Sequence, residues 1–231
     1  MTAMGALPMR GGWAMSMAWL PGCGQRWPGV AAAWFGMWVA MTLAMMLPAV
    51  APMLWRCRQA VGRAGAAHPD RLVVRVGAGY LVVWIACGLA AWMAGVALAA
   101  LALRWPLLAR AVPAASGAIV LLAGMLQCSA WKARRLACCR EAPGCGHALP
   151  LHAAAALRYG LRLGRHCSTC CAGLTATLLV LGVMNLRVMA AVTTAIALER
   201  LAPAGARMAQ LIGAVLIAAG LCLLVRAAGP G

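Results

Sequence analysis

Acidic residues are almost missing from this chain. Among 231 residues only Asp70, Glu141 and Glu199 carry a carboxylate, against 20 lysines and arginines. That scarcity argues against a carboxylate-rich hydrolytic site and against the oxygen cages that Mg²⁺ and Ca²⁺ take. Charge of either sign is sparse as well. Charged residues make up 10% of the chain, where a soluble surface uses about a quarter. Phosphate-cradling glycine loops, Ser-His-Asp arrangements and His-Glu-x-x-His are absent. So are tandem repeats and the paired broken helices of inverted-repeat transporters.

What fills the chain instead is apolar sequence, 65% of it. No charged residue lies between Arg26 and Arg56, Arg75 and Arg104, Arg110 and Lys132, or Arg207 and Arg226. Each gap is about as long as a helix needs to cross a hydrocarbon core of about 30 Å. Backbone groups in lipid must be satisfied within the segment, so the expected fold class is all-α, a polytopic transmembrane bundle of about five spans. The formal charge of +17 does not point to nucleic acid, because the basic residues flank the apolar runs and form no separate basic arm. Their role is anchoring and orientation in a lipid bilayer.

Residues 1–27, rich in Met and Trp and broken by Gly11, Gly12, Pro21 and Gly22, read as an extramembrane or interfacial arm. Residues 28–227 read as one transmembrane helical domain. The first span runs from Pro28 to Leu47 and on to Trp55, with Pro48 and Pro52 expected to end or kink it. The second covers about Val76 to Leu103, and a short turn containing Pro106 leads to a third beginning near Pro113. A polar Cys- and Arg-rich loop at about 132–165 follows, with a short amphipathic surface helix expected around 152–157. A fourth span starts near Cys167. Either it ends near Asn185, with an interfacial helix after it, or the membrane segment slides to about 178–198. Met208 to Val225 is the last. The two basic loops and the tail hold 13 basic residues and the opposite side 7, favouring an outside N-terminus and a cytoplasmic C-terminus, in a bacterial inner membrane.

Three groups carry chemistry. His166-Cys167-Ser168-Thr169-Cys170-Cys171 places three cysteines at i, i+3 and i+4 on one helix face, a soft trio suited to Cu(I), or to Zn(II) with a fourth ligand. Cys138, Cys139, Cys145 and His147 lie upstream as sources of that ligand. Met37, Met41 and Met45 recur four apart, beside a parallel row of Trp34 and Trp38. Thioethers prefer Cu(I), although methionine is also an adaptable packing residue. Asn185, Met189 and Glu199 would align on a continuous helix. Glu199 is either a functional acid in the membrane or an interfacial one paired with Arg200. Cys57, Cys87, Cys128 and Cys222 read as packing residues.

These residues carry a resemblance. Met37-Trp38-x-x-Met41-x-x-Ala44-Met45-Met46-Leu47-Pro48, followed by Pro52-Met53, is similar to the hallmark of a family of predicted metal-binding integral membrane proteins. Gln127 with Lys132 and Cys139-Arg140 resembles its central polar motif. Gly164-x-x-Cys167-x-x-Cys170-Cys171 resembles its Cys-rich motif, and Met184-Asn185, Met189 and Glu199 the block that follows. The resemblance covers about residues 15–200. The chain departs from it in lacking an extra span before the Met-Trp motif, in Arg135 where a cysteine is usual, and in Ala172 where an aromatic is usual. It implies metal binding and leaves Cys139, Cys167, Cys170 and Cys171 as the matched thiols.

The leading reading is therefore an integral membrane protein that binds a soft metal for handling or delivery to a metal chaperone or metalloenzyme partner. Copper is the expected metal and zinc the alternative. Two other readings stay open: a membrane metallo-oxidoreductase or a subunit of one, and a transporter of a metal or small solute.

Overall fold

The computed structural model describes residues 6–8, 14–16, 26–141, 151–183 and 185–229, the first two stretches and 138–141 by backbone alone. Seven helices account for almost all of them: α1 (Trp27–Arg63), α2 (Pro69–Arg104), α3 (Pro106–Gln127), α4 (Ala130–Glu141), α5 (Ala153–Leu181), α6 (Leu186–Leu201) and α7 (Gly205–Ala228). In the N-terminal arm, β1 (Ala6–Pro8) pairs antiparallel with β2 (Ala14–Ser16), with Leu7 opposite Met15.

Four helices, α1, α2, α3 and α7, are long and apolar enough to cross a membrane. Their outward faces match that character: Leu98, Leu122, Leu211 and Val215 are each 60% or more exposed. A water-soluble monomer rarely leaves so much large apolar surface uncovered. The expected fourth span is different. α5 begins far upstream, at Ala153, and carries Arg158, Arg162 and Arg165 in its first half. The surface helix expected around 152–157 is simply its first turn. α6 has 16 residues, fewer than the roughly 20 a span needs.

Proline and glycine set several boundaries differently from expectation. Pro48 and Pro52 lie inside α1, which continues past them to Arg63. Lacking N–H groups, they leave the carbonyls of Ala44 and Pro48 without their usual donors but do not end the helix. α3 begins at Pro106, with Pro113 inside it, so that only Trp105 separates it from α2. Proline suits a helix start because its missing N–H would be unsatisfied there anyway. α5 ends at Gly182, whose φ of 115° is a conformation glycine alone adopts cheaply. Asn185 then caps α6, its side-chain oxygen accepting from the backbone N–H groups of Arg187 (3.1 Å) and Val188 (3.4 Å). Of the two arrangements open from sequence, the chain takes the one in which the helix breaks near Asn185.

Two helix pairs pack backbone to backbone through glycines. Between α2 and α5, a Cβ on Gly160 would lie 2.1 Å from the Val76 carbonyl oxygen, and one on Gly79 2.5 Å from that of Leu157. Between α3 and α7, Gly124 faces the Ile217 backbone and Gly220 faces Leu121 in the same way. Such close approach permits the dispersion contacts that hold helices together wherever the hydrophobic effect cannot, as in lipid. α5 packs against α2, α3, α4 and α6.

Gly160→Ala should force α2 and α5 apart and destabilise the folded protein by about 1–3 kcal/mol. Gly77→Ala, where a Cβ meets nothing within 4 Å, should stay within about 0.5 kcal/mol of wild type. Thermal unfolding of both variants in one detergent compares them directly.

Candidate metal centre

The Met-Trp row of α1 is fixed against α2 by its indoles. Trp34 and Trp38 stack with ring centroids 5.8 Å apart. Trp38 Nε1 donates to the Trp84 carbonyl at 2.8 Å and Trp34 Nε1 to that of Gly88 at 3.3 Å. Gly88 is needed there, because a Cβ would sit 2.5 Å from the Trp38 ring. With Trp38 held, Met41, Met45 and Met46 follow one to two turns on and point inward, each 5% exposed or less.

They share a connected buried core with two of the cysteines. Met41, Met45, Met46 and Met53 share one buried cluster with Cys167 and Cys171, closed by Tyr80, Trp84, Leu174, Val192 and Ile196. Cys167 and Cys171 are four apart on α5 and so project from the same side. Tyr80 Oη lies 3.0 Å from Cys167 Sγ. The Arg200 guanidinium donates to Cys167 Sγ at 2.9 Å and reaches Cys171 Sγ at 3.6 Å. A permanent cation therefore stands against two buried sulfurs.

Cys170 departs from the one-face expectation. It packs in a separate small cluster with Leu136 of α4 and Ala209 of α7. Its carbonyl accepts from Lys132 Nζ at 2.6 Å.

Lys132 belongs to a second, polar layer. Its Nζ is 2.8 Å from Glu199 Oε2, and both side chains are 1% exposed. Gln127 Nε2 donates to the other oxygen of Glu199. The pair, the amide and the carbonyl tie together α3, α4, α5 and α6. Glu199 does not pair with Arg200, because adjacent residues on a helix point about 100° apart. Glu199 turns to Lys132, and Arg200 to the thiols.

The remaining candidates fall outside this assembly. Asn185 is exposed and spent on its helix cap. Met189 is partly buried against the Met/Cys cluster. His166 Nδ1 lies 3.1 Å from Arg135, away from the two core thiols. Met184, Cys145 and His147 lie outside the described residues, as do the side chains of Cys138 and Cys139. Among the described residues no group of three or more His, Cys, Asp or Glu side chains is arranged to hold a metal ion. A site among the described residues would draw on thioethers as well as thiols. That donor chemistry fits Cu(I), which favours sulfur and low coordination, and suits Zn(II) poorly, since methionine is not among its usual ligands.

Sequence reasoning missed Tyr80 and Arg200 as sulfur neighbours, and it placed Lys132 at the start of a polar loop, in a motif with Gln127, without pairing it to Glu199. One signal for Lys132 was present: it is the only lysine among 20 basic residues. Where every surface position takes arginine, the exception marks a place for a compact ammonium with three donors.

A family model described as PpoB2, copper chaperone, matches residues 35–223. No curated protein and no solved structure matches the chain.

Removing one partner of the buried pair strands the other charge. Lys132→Met or Glu199→Leu alone should cost about 3–5 kcal/mol, and the double variant K132M/E199L should recover much of that loss. Unfolding midpoints of the three variants in one detergent measure the cycle.

Proposed function

The chain belongs to the PpoB2 copper chaperone family, and from that premise we propose that it is an integral membrane protein that takes up Cu(I) as cargo and passes it to a copper-requiring partner. The observation that carries this reading is the single buried cluster holding Met41, Met45, Met46 and Met53 of α1 with Cys167 and Cys171 of α5. Cys167 and Cys171 supply thiolates, and Met41 and Met45 supply thioethers. Four apolar helices and the outward leucines support the membrane location. The arginine distribution supports a cytoplasmic C-terminus in a bacterial inner membrane.

Charge balance favours a monovalent cargo. Two thiolates and one Cu(I) sum to −1, and the adjacent Arg200 brings the site to neutrality. The buried Lys132–Glu199 pair is already neutral by itself. A divalent ion on the same thiolates would leave an uncompensated positive charge in a largely apolar cluster, which is costly. The guanidinium also gives the two sulfurs a hydrogen-bond donor when no metal is held, so that the site is not left as unpaired buried polar atoms. Tyr80 serves Cys167 in the same way. A weak thioether half and a strong thiolate half give the cargo both a hold and an exit, as transfer by ligand exchange requires.

Protein purified under reducing conditions should carry copper in stoichiometric amount and little zinc. C167S/C171S should lose most of it, and M41L/M45L should retain it but release it to a Cu(I) chelator about tenfold faster. Metal analysis of the three proteins decides the matter. Copper in C167S/C171S at the wild-type level would overturn the assignment.

A further inference from the structure

α5 has two working faces. Cys167 and Cys171 point into the core, while Arg162, Arg165, His166 and Thr169 lie on roughly the opposite side of the helix at 3.6 residues per turn. Together with Arg135 of α4, those four line a cavity of about 350 Å³. We propose that this cavity is a phosphate site, built to hold the headgroup of an anionic phospholipid. It is separate from the copper cluster, and it rests on the membrane-spanning reading of the bundle but not on the identity of the metal.

The lining has the donors for an oxyanion and lacks a counter-ion. Arg135, Arg162 and Arg165 contribute three guanidiniums, whose planar forks match phosphate oxygens. Arg135 Nη1 lies 3.1 Å from His166 Nδ1, which joins α4 to α5 across the cavity wall. The Thr169 hydroxyl is spent on the carbonyls of Arg165 and His166 and forms wall. Among the described residues no carboxylate borders the cavity. Asp70 is taken by Arg58 and Glu199 by Lys132. Arg158, exposed one turn before Arg162 and outside the lining, adds a further cation nearby. So many like charges around one hollow repel each other until an anion enters.

Position selects lipid as the source of the phosphate. The arginines of α5 end at Arg165, and residues 167–181 carry no charge, so the cavity sits where the helix turns apolar. Trp131, 41% exposed, stacks under the Arg135 guanidinium at 5.2 Å. Tryptophan and arginine together mark the headgroup level of a bilayer. A basic pocket between helices at that level is a recognised form of headgroup site.

The test uses the full chain in phosphatidylcholine nanodiscs doped with phosphatidylglycerol, with bound lipid counted by native mass spectrometry after release into detergent. Wild type should retain phosphatidylglycerol over phosphatidylcholine. R162Q/R165Q should bind it roughly tenfold or more weakly, while R56Q/R63Q, with the same charge change elsewhere, should match wild type. Unchanged copper content and gel-filtration behaviour report that the double variant is folded, and the single variants R162Q and R165Q replace it if it is not. Phosphatidylglycerol retained equally by wild type and R162Q/R165Q, or no preference over phosphatidylcholine, would overturn the site. A second arm adds inorganic phosphate to lipid-depleted protein. Millimolar phosphate that stabilises wild type but not R162Q/R165Q, with no lipid preference, would overturn the lipid assignment and leave a soluble-oxyanion site.

Discussion

The contact between Lys132 and Glu199 is the constraint on which the bundle's interior depends. Two opposite charges, each 1% exposed, meet at 2.8 Å where neither water nor lipid can stabilise them singly. Their leftover hydrogen-bonding capacity is met by Gln127 and by the carbonyl of Cys170. Four helices are thereby held in register around one neutral polar knot. Its effect on the thiols is direct. Glu199, drawn toward α4, sets the rotation of α6 and places the next residue, Arg200, against Cys167 and Cys171. Lys132, bonded to the backbone at Cys170, fixes α5 at the same level. The polar knot and the sulfur cluster are thus two consequences of a single packing arrangement.

A soft-metal reading gains from that arrangement because it explains residue types that packing alone does not require. Leucine would fill the space of Met41 and Met45, and alanine or valine that of Cys167. The part-buried guanidinium of Arg200 is set against two sulfurs that can become thiolates. Of the two acids whose side chains are described, Asp70 pairs with Arg58 at the surface and Glu199 with Lys132 within, which leaves few hard oxygen donors beside the sulfurs.

Much of the architecture was legible in the sequence. Uncharged stretches of about 20 residues located α1, α2, α3 and α7, because a helix long and apolar enough to span a bilayer leaves a compositional trace. The Met-Trp row and the Cys-x-x-Cys-Cys run pointed to the two halves of the candidate cluster through helical spacing. What was not legible depended on partners in other helices. Arginines and apolar residues mixed in the first half of α5 looked like a loop, yet Gly160 and Gly164 let that half pack on α2. His166 lies next to Cys167 in the chain, but 100° of helical rotation sends it to Arg135. Asn185 resembled a ligand because asparagine at a helix start and asparagine in a site read alike until the cap bonds are seen. Lys132 and Glu199 are 67 positions apart, and no local pattern links them.

The glycine seams between α2 and α5 and between α3 and α7 invert the usual relation between residue size and tolerance. In a water-soluble domain the large core side chains are the least replaceable, because deleting them opens voids. Here many large side chains face outward, where one aliphatic group substitutes for another at little cost. The irreplaceable atoms along the seams are hydrogens, those on the Cα of Gly79, Gly124, Gly160 and Gly220. Selection along these seams should therefore be stringent where the side chain is smallest, a constraint that substitution catalogues tuned to soluble proteins underrate.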